Sequence, residues 1–286
     1  MSDLPPLTSD HAALVAAQHE GVALCTLVGL EGSFSRRIGA QLAVLPDGST
    51  IGSLSDGCLE KQLASDVQAA RANGAPRTLR YGSGSANIDF RLPCGSGVDI
   101  LVDPAPDRAA CRAALTALEQ RKPAILALPA LSGMLGERRY MPLLQLALFG
   151  EGPELESLDR LARACGIATQ VFGKDDPQRL ALGQSPRGAQ VDAWTGIVLL
   201  FHDHEWEAAI LEWALGTAAF HIGAQGGQTA REDRLALLAA RGLPAEAASR
   251  IRSPIGLIGH TRDPGVLALS VLAEVVSEYE RLHPHG

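Results

Sequence analysis

Apolar residues recur along the chain in two rhythms, and the change from one to the other divides it. Residues 10–19 (DHAALVAAQH) repeat at helical spacing, with Asp10 placed to cap the turn. Residues 22–28 (VALCTLV) form a continuous apolar run of strand length, and residues 41–45 form a second. Pro46-Asp47-Gly48-Ser49 is a turn, so residues 50–54 read as the return strand of a hairpin. A helix is expected over residues 59–72, loops over 81–85 and 92–97, and a strand over 98–102. A helix over 107–120 and a strand over 124–128 follow, and residues 131–140 read as a crossing segment.

Beyond Arg139 the pattern becomes strand, helix, strand. Strands are expected at 144–149, 169–172, 196–201 and 219–222. Helices are expected at 154–164, 205–215, 230–240, 245–250 and 265–280. Strands separated by helices imply a parallel, doubly wound sheet. The predicted fold is therefore α/β: a mixed α/β domain over residues 1–139, then a Rossmann-like domain with a doubly wound parallel sheet over 140–286.

Composition narrows the classes. With 286 residues, 46% apolar and 20% charged, the chain can bury a core without staples. No run approaches 18 uncharged apolar residues, so no membrane span is expected. The first six residues lack a basic region and an apolar stretch, so the reading expects no secretory leader and a cytoplasmic protein. A net charge of −7 speaks against nucleic acid as a partner. The acid excess lies in the second half, where 12 basic residues face 18 acidic ones.

Five cysteines, an odd number without a Cys-x-x-Cys pair, point to free thiols rather than disulfides or a structural zinc site. Cys25, Cys111 and Cys165 fall in predicted strand and helices and read as core or incidental residues. Cys58 and Cys94 fall in glycine-bearing loops. Cys58 follows Gly57 where a helix begins, a setting that lowers a thiol pKa, and Cys94 precedes Gly95. Such thiolates suit nucleophilic chemistry or a soft metal. Glu60 can move a proton or anchor the loop. Ser33, Arg36 and Arg37 lie in a glycine-flanked loop that can hold a phosphate or simply face solvent.

In the second half, Gly150-Glu151-Gly152-Pro153-Glu154-Leu155 has two glycines of a dinucleotide fingerprint between strand and helix. Leu155 replaces its third small residue, and Glu151 and Glu154 put negative charge where a pyrophosphate would sit. Asp175 or Asp176 stands for the ribose-binding acid. Residues 201–205 (FHDHE) end the third strand, where His202 and His204 can share a face and Asp203 can bind or cap. Gly223 and Gly226 lie in a loop that can hold an anion or make a tight turn. NAD(P) is the cofactor this half would take, which leaves an NAD(P)-dependent oxidoreductase as the alternative activity and a non-catalytic scaffold as a further one.

Taken in order, these motifs resemble the XdhC/CoxI family, accessory factors for xanthine dehydrogenase and related molybdenum hydroxylases. The resemblance rests on residues 31–40 (EGSFSRRIGA), 52–60 (GSLSDGCLE), Cys94-Gly95, His202-Asp203, 223–226 (GAQG) and Pro254-Ile255-Gly256-Leu257. Phe34, Arg37 and Ile38 stand where the family has prolines, Asp56 where a glycine is common and Gly227 where a serine is usual. The resemblance implies a chaperone, not a turnover enzyme. It binds molybdenum cofactor in its molybdopterin or nucleotide-bearing form, protects it during sulfuration by a cysteine desulfurase and delivers it to an apo molybdenum hydroxylase. A molybdenum cofactor nucleotidyltransferase is a further implied partner, and a homo-oligomer is expected. The residues implied are Cys58 and Cys94 as molybdenum contacts, with Gly57, Glu60, Ser33, Arg36, Arg37 and Gly95 around them. Gly150, Gly152, Asp175, Asp176, His202, Asp203, Gly223 and Gly226 remain for a nucleotide.

Overall fold

The computed structural model describes residues 9–55, 57–85, 95–129, 134–259 and 261–282. They form two compact units that divide between Pro142 and Leu143.

The first unit is built on an antiparallel sheet of order β3-β2-β1-β5-β4. Its strands are β1 (Ala23–Glu31), β2 (Gln41–Val44), β3 (Thr50–Gly52), β4 (Arg77–Gly82) and β5 (Gly97–Asp103). Successive side chains on a strand point to opposite faces, and both faces of this sheet are covered. Ala23, Cys25 and Leu27 of β1 pack with Leu59, Leu63 and Val67 of α2 (Cys58–Asn73). Leu24 faces the other way, toward Leu14 of α1 (Ser9–Ala17) and Cys111 of α3 (Arg108–Glu119). Double coverage explains why β1 reads as an unbroken apolar run instead of an alternating one. Asp107 caps α3, accepting the backbone N–H of Ala109 and of Ala110.

Two expected irregular segments are strands. Residues 81–85 were assigned to a loop, but β4 runs through Tyr81 to Gly82, paired with β5. Its sequence, RTLRYG, is polar because it is a half-buried edge strand. Residues 131–140 were assigned to a crossing segment, yet β7 (Glu137–Tyr140) pairs with β6 (Ala124–Ala127) in a separate two-stranded ribbon. Tyr140 is the buried end of that ribbon: its hydroxyl donates to Gln41, whose amide donates to Thr26 Oγ1 at 3.0 Å.

The second unit has an all-parallel sheet of order β12-β11-β10-β8-β9. Its strands are β8 (Gln145–Gly150), β9 (Ala168–Gly173), β10 (Thr195–Leu200), β11 (His221–Ala224) and β12 (Ile251–Arg252). Helices α4 (Gly152–Ala164) and α8 (Pro264–Leu282) cover one face through Leu158 and Val275. Helices α5 (Glu207–Leu215), α6 (Gln228–Ala240) and α7 (Ala245–Ala248) belong to the other, with Ile210, Leu238 and Ala248 in its core. This is the doubly wound Rossmann-like sheet that the alternating pattern predicts. In sequence order its strands run 2-1-3-4-5, so the order reverses between β8 and β10, and ligands of such sheets bind at that reversal, beyond the carboxyl ends of the strands. The fourth strand sits two residues later than expected, which places Gly223 inside β11 instead of in the loop after it.

Candidate functional site

In the first unit, the 31–39 loop lies against two other segments, the exit of β3 and the entry of β5. Strand β1 leaves at Glu31, β3 leaves at Gly52, and β5 enters at Gly97, opposite Glu31. The 31–39 loop touches both other segments. A Cβ on Gly32 would lie 3.4 Å from Cβ of Ser96, next to Gly95. Arg36 reaches the other way, with Nη2 3.1 Å from Ser53 Oγ. Arg80 braces the rim, donating to Glu31 and, at 2.7 Å, to Asp99.

Glu60 organises the turn between β3 and α2. Its Oε1 accepts the N–H groups of Leu54 at 2.9 Å and Ser55 at 2.6 Å, and Oε2 accepts that of Gly57 at 2.8 Å. Burial works to raise its pKa, but bonds from the backbone of Ser55, Glu60 itself, Gly57 and Leu54 outweigh that and hold the carboxyl below the usual range. Of the two roles open to Glu60 in the sequence, this geometry supports loop anchoring, because both oxygens are occupied and the acid stays ionised. Gly57, at φ 105°, takes a left-handed turn, and nothing lies within 4 Å of where a Cβ would stand. The next residue, Cys58, opens α2. An open cleft of about 580 Å³ runs beside this turn, lined by Ser49, Thr50, Ser53, Ser55, Gly57 and Lys61 among others. Ser33 and Arg37 are exposed in the 31–39 loop, and Gly95 is exposed at the entry to β5. Cys94 lies outside the described residues, and the Cys58 side chain is likewise not among those described.

The remaining cysteines are set apart. Burial, reinforced by the Asp66 and Asp103 carboxylates, pushes the Cys25 thiol up to about 12. Burial beside Asp107 and Asp103 pushes Cys111 up to about 11. Both are core residues as expected. Cys165 is not: it caps the end of α4 and is exposed.

In the second unit the loops after β8, β9 and β10 gather at the strand-order reversal. Gly150 has φ 153°, and a Cβ there would meet the Leu200 carbonyl oxygen at 2.4 Å, so only glycine fits. Gly152, at φ 78°, opens α4. Lys174 Nζ lies 2.6 Å from Glu151 Oε1 and 3.8 Å from Asp203 Oδ2, above the ring of Trp206. Asp175 folds back over Gly173, where a Cβ would lie 2.3 Å from its Oδ1, and the Asp176 amide turns back to the Gly173 carbonyl. Lys174 was not singled out in the sequence, because nothing local shows that it answers Glu151. Leu155, in the third fingerprint position, is a buried core residue of α4. An incoming pyrophosphate would meet the carboxylates of Glu151 and Glu154, with Lys174 already paired to the first.

The two histidines after β10 do not converge. His202 Nε2 lies 3.4 Å from Glu154, while His204 Nδ1 lies 3.1 Å from Glu207. Asp203 caps the single 3-10 turn that follows, accepting the N–H of Glu205. Gly226, at φ 127°, packs tightly on Ala230 and stands near Arg234. Gly223 leaves room for His221 and Ile255, whose atoms a Cβ would overlap at 2.8 and 2.2 Å. That clearance, within a strand, is a packing role and not an anion-holding loop.

Two family models match these regions in turn: the XdhC and CoxI family over residues 15–82, and the XdhC Rossmann domain over 146–275. The chain is also 33% identical to the molybdenum cofactor insertion chaperone PaoD of Escherichia coli (strain K12), over 97% of this chain and 91% of that protein. The chain belongs to the XdhC and CoxI family. Its Arg36 loop and the turn before Cys58 fall in the first matched segment, and the strand-order reversal falls in the second. A crystal structure from Bacillus halodurans, described as a xanthine dehydrogenase, has the same fold at a TM-score of 0.73 and 20% identity, covering 96% of this chain and 97% of that one. Among the described residues, no helix of this XdhC and CoxI family member is long and apolar enough to cross a membrane.

Proposed function

We propose that this chain is a molybdenum cofactor insertion chaperone, which holds the cofactor as cargo and hands it to an apo molybdenum hydroxylase. The observation that carries this reading is that one loop, residues 31–39, touches both the turn before Cys58, through Arg36, and the strand entry after Cys94, through Gly32. Cys58 and Cys94 supply soft thiolates to the molybdenum end. The backbone amides of Leu54, Ser55 and Gly57 are bound to Glu60, so the cofactor phosphate falls to charged side chains and hydroxyls instead. Arg36 and Arg37 serve there, along with Lys61, whose ammonium makes no ion pair among the described residues and borders the cleft. Ser33 and Gly95 line the approach. A cysteine desulfurase and a nucleotidyltransferase act before delivery, on cofactor held at this rim. The second unit, taken by itself, offers its crevice to a separate nucleotide, with Gly150 and Gly152 below it and Asp175, Asp176, His202 and Asp203 at its edge.

The test is metal and pterin analysis of protein co-expressed with active cofactor biosynthesis. Wild type is expected to copurify with molybdenum and pterin, and Cys58→Ala and Cys94→Ala to lose them and fail to activate the apo-hydroxylase. Unchanged retention and activation in both variants would overturn the thiolate assignment. Nicotinamide binding by wild type without any molybdenum would favour an oxidoreductase.

A further inference from the structure

The second unit holds a further group of ligand-type side chains, apart from its crevice. His221 opens β11, at the opposite end of that strand from the crevice. Glu274 and Glu278 lie one turn apart on α8, on the same helix face. One ring nitrogen of His221 and one carboxylate oxygen of each acid lie within 4.8 Å of one another.

The histidine is the informative member. Its side chain is 0% exposed. Nδ1 stands 2.8 Å from Glu278 Oε2, while Nε2 is buried without any hydrogen-bond partner. Buried polar atoms are nearly always satisfied, and an orphan calls for an explanation such as an ion. Metal-binding imidazoles use one ring nitrogen and are commonly oriented by a carboxylate on the other. His221 is arranged in that manner, with Glu274 within reach as a second donor. Glu274 also accepts the Gly256 N–H, which ties it to the loop after β12. The other charges facing the group are Arg252 and Arg281, 2.8 and 3.4 Å from Glu278 Oε1. They are 55% and 68% exposed, hold that single oxygen from the solvent side, and leave Oε2 toward the histidine.

We propose that His221 Nε2 and Glu274 bind a divalent transition-metal ion that fastens α8 to β11, with Glu278 orienting the imidazole from Nδ1. One imidazole with a carboxylate is a nitrogen and oxygen donor set, suited to Zn²⁺ or Mn²⁺ and needing no thiolate. The site is structural, since it stands at the opposite end of β11 from the crevice.

The experiment uses the full chain, stripped with a chelator and titrated with Mn²⁺, followed by electron paramagnetic resonance, and with Zn²⁺, followed by metal analysis. A Cys58→Ser/Cys94→Ser variant removes the competing thiolates. Expected is about one equivalent of Mn²⁺ in both proteins, with a raised melting temperature. Glu274→Gln, which keeps the bond to Gly256, should bind at least about tenfold more weakly and lose that melting shift. His221→Gln should do the same, and circular dichroism reports whether it folds. If it does not, Glu274→Gln decides. Absence of bound Mn²⁺ and Zn²⁺, binding untouched by Glu274→Gln, or binding that disappears with the two cysteines would each overturn the site. None of these results bears on whether the chain carries molybdenum cofactor.

Discussion

Arg234 grips Glu207 with two parallel bonds, Nε to Oε2 at 2.6 Å and Nη2 to Oε1 at 3.0 Å, and both side chains are buried. The same guanidinium donates to Ser253 Oγ at 2.7 Å and to the Gln225 carbonyl at 2.7 Å. One side chain thereby holds the ends of β11 and β12 against α5. Removing one partner of a buried, fully bonded pair leaves the other charge unanswered and costs about 3–5 kcal/mol. Glu207→Gln is expected to lower stability by that amount in urea unfolding. The exposed Arg241–Glu212 pair is the control, since Glu212→Gln should change stability by less than about 1 kcal/mol. Equal effects would show that the buried network has no special weight.

Glu60 makes a prediction about acid. Its folded pKa lies below the ordinary 4.5, so the unfolded chain takes up the proton first as pH falls. Its stabilisation is complete above that ordinary value and is lost as pH drops through the folded one. Urea midpoints measured between about pH 3 and pH 7 should fall toward acid in wild type and flatten in Glu60→Gln. A variant with an unchanged acid slope would remove Glu60 from this role.

Gly150 and Gly48 separate steric from conformational cost. Both have positive φ, but a Cβ on Gly150 strikes a backbone carbonyl while one on Gly48 meets open space. Gly48→Ala is expected to cost about 1–2 kcal/mol. Gly150→Ala should add about 1–3 kcal/mol of overpacking to its backbone strain and open the reversal between β8 and β10. Thermal melts of the two variants side by side test this; matching midpoints would contradict it.

Thiol titration of native protein offers a quick check on the cysteines. In a Cys58→Ser/Cys94→Ser background, a disulfide reagent should label Cys165 promptly. Cys25 and Cys111, buried and with raised pKa values, should react only on unfolding. Prompt labelling of more than one thiol would mean that the first unit's core opens readily.

Much of the fold was legible because burial writes itself into composition. The runs that became β1, β8 and β10 are mostly apolar on both alternating faces, since their sheets are covered on both sides. Strands β4 and β7, RTLRYG and ERRY, escaped for the opposite reason: edge positions tolerate arginine, and local pattern then resembles a loop. β12 is only two residues long. At the candidate site, glycine and cysteine drew attention to the loop segments, but roles set by distant partners were hidden. Nothing near Lys174 announces Glu151, and 57 residues separate His221 from Glu278. The same holds for His202 and His204, whose shared spacing suggested one site while their partners, Glu154 and Glu207, draw them apart.

The Glu60 hub has a consequence for how position 58 can be studied and how it can change. The turn before it is held by a carboxylate gripping three amides, none of which belongs to residue 58. The scaffold and the side chain at residue 58 are therefore inherited separately. A library randomised at residue 58 alone should yield folded proteins, so this locus can drift without first surviving a loss of structure.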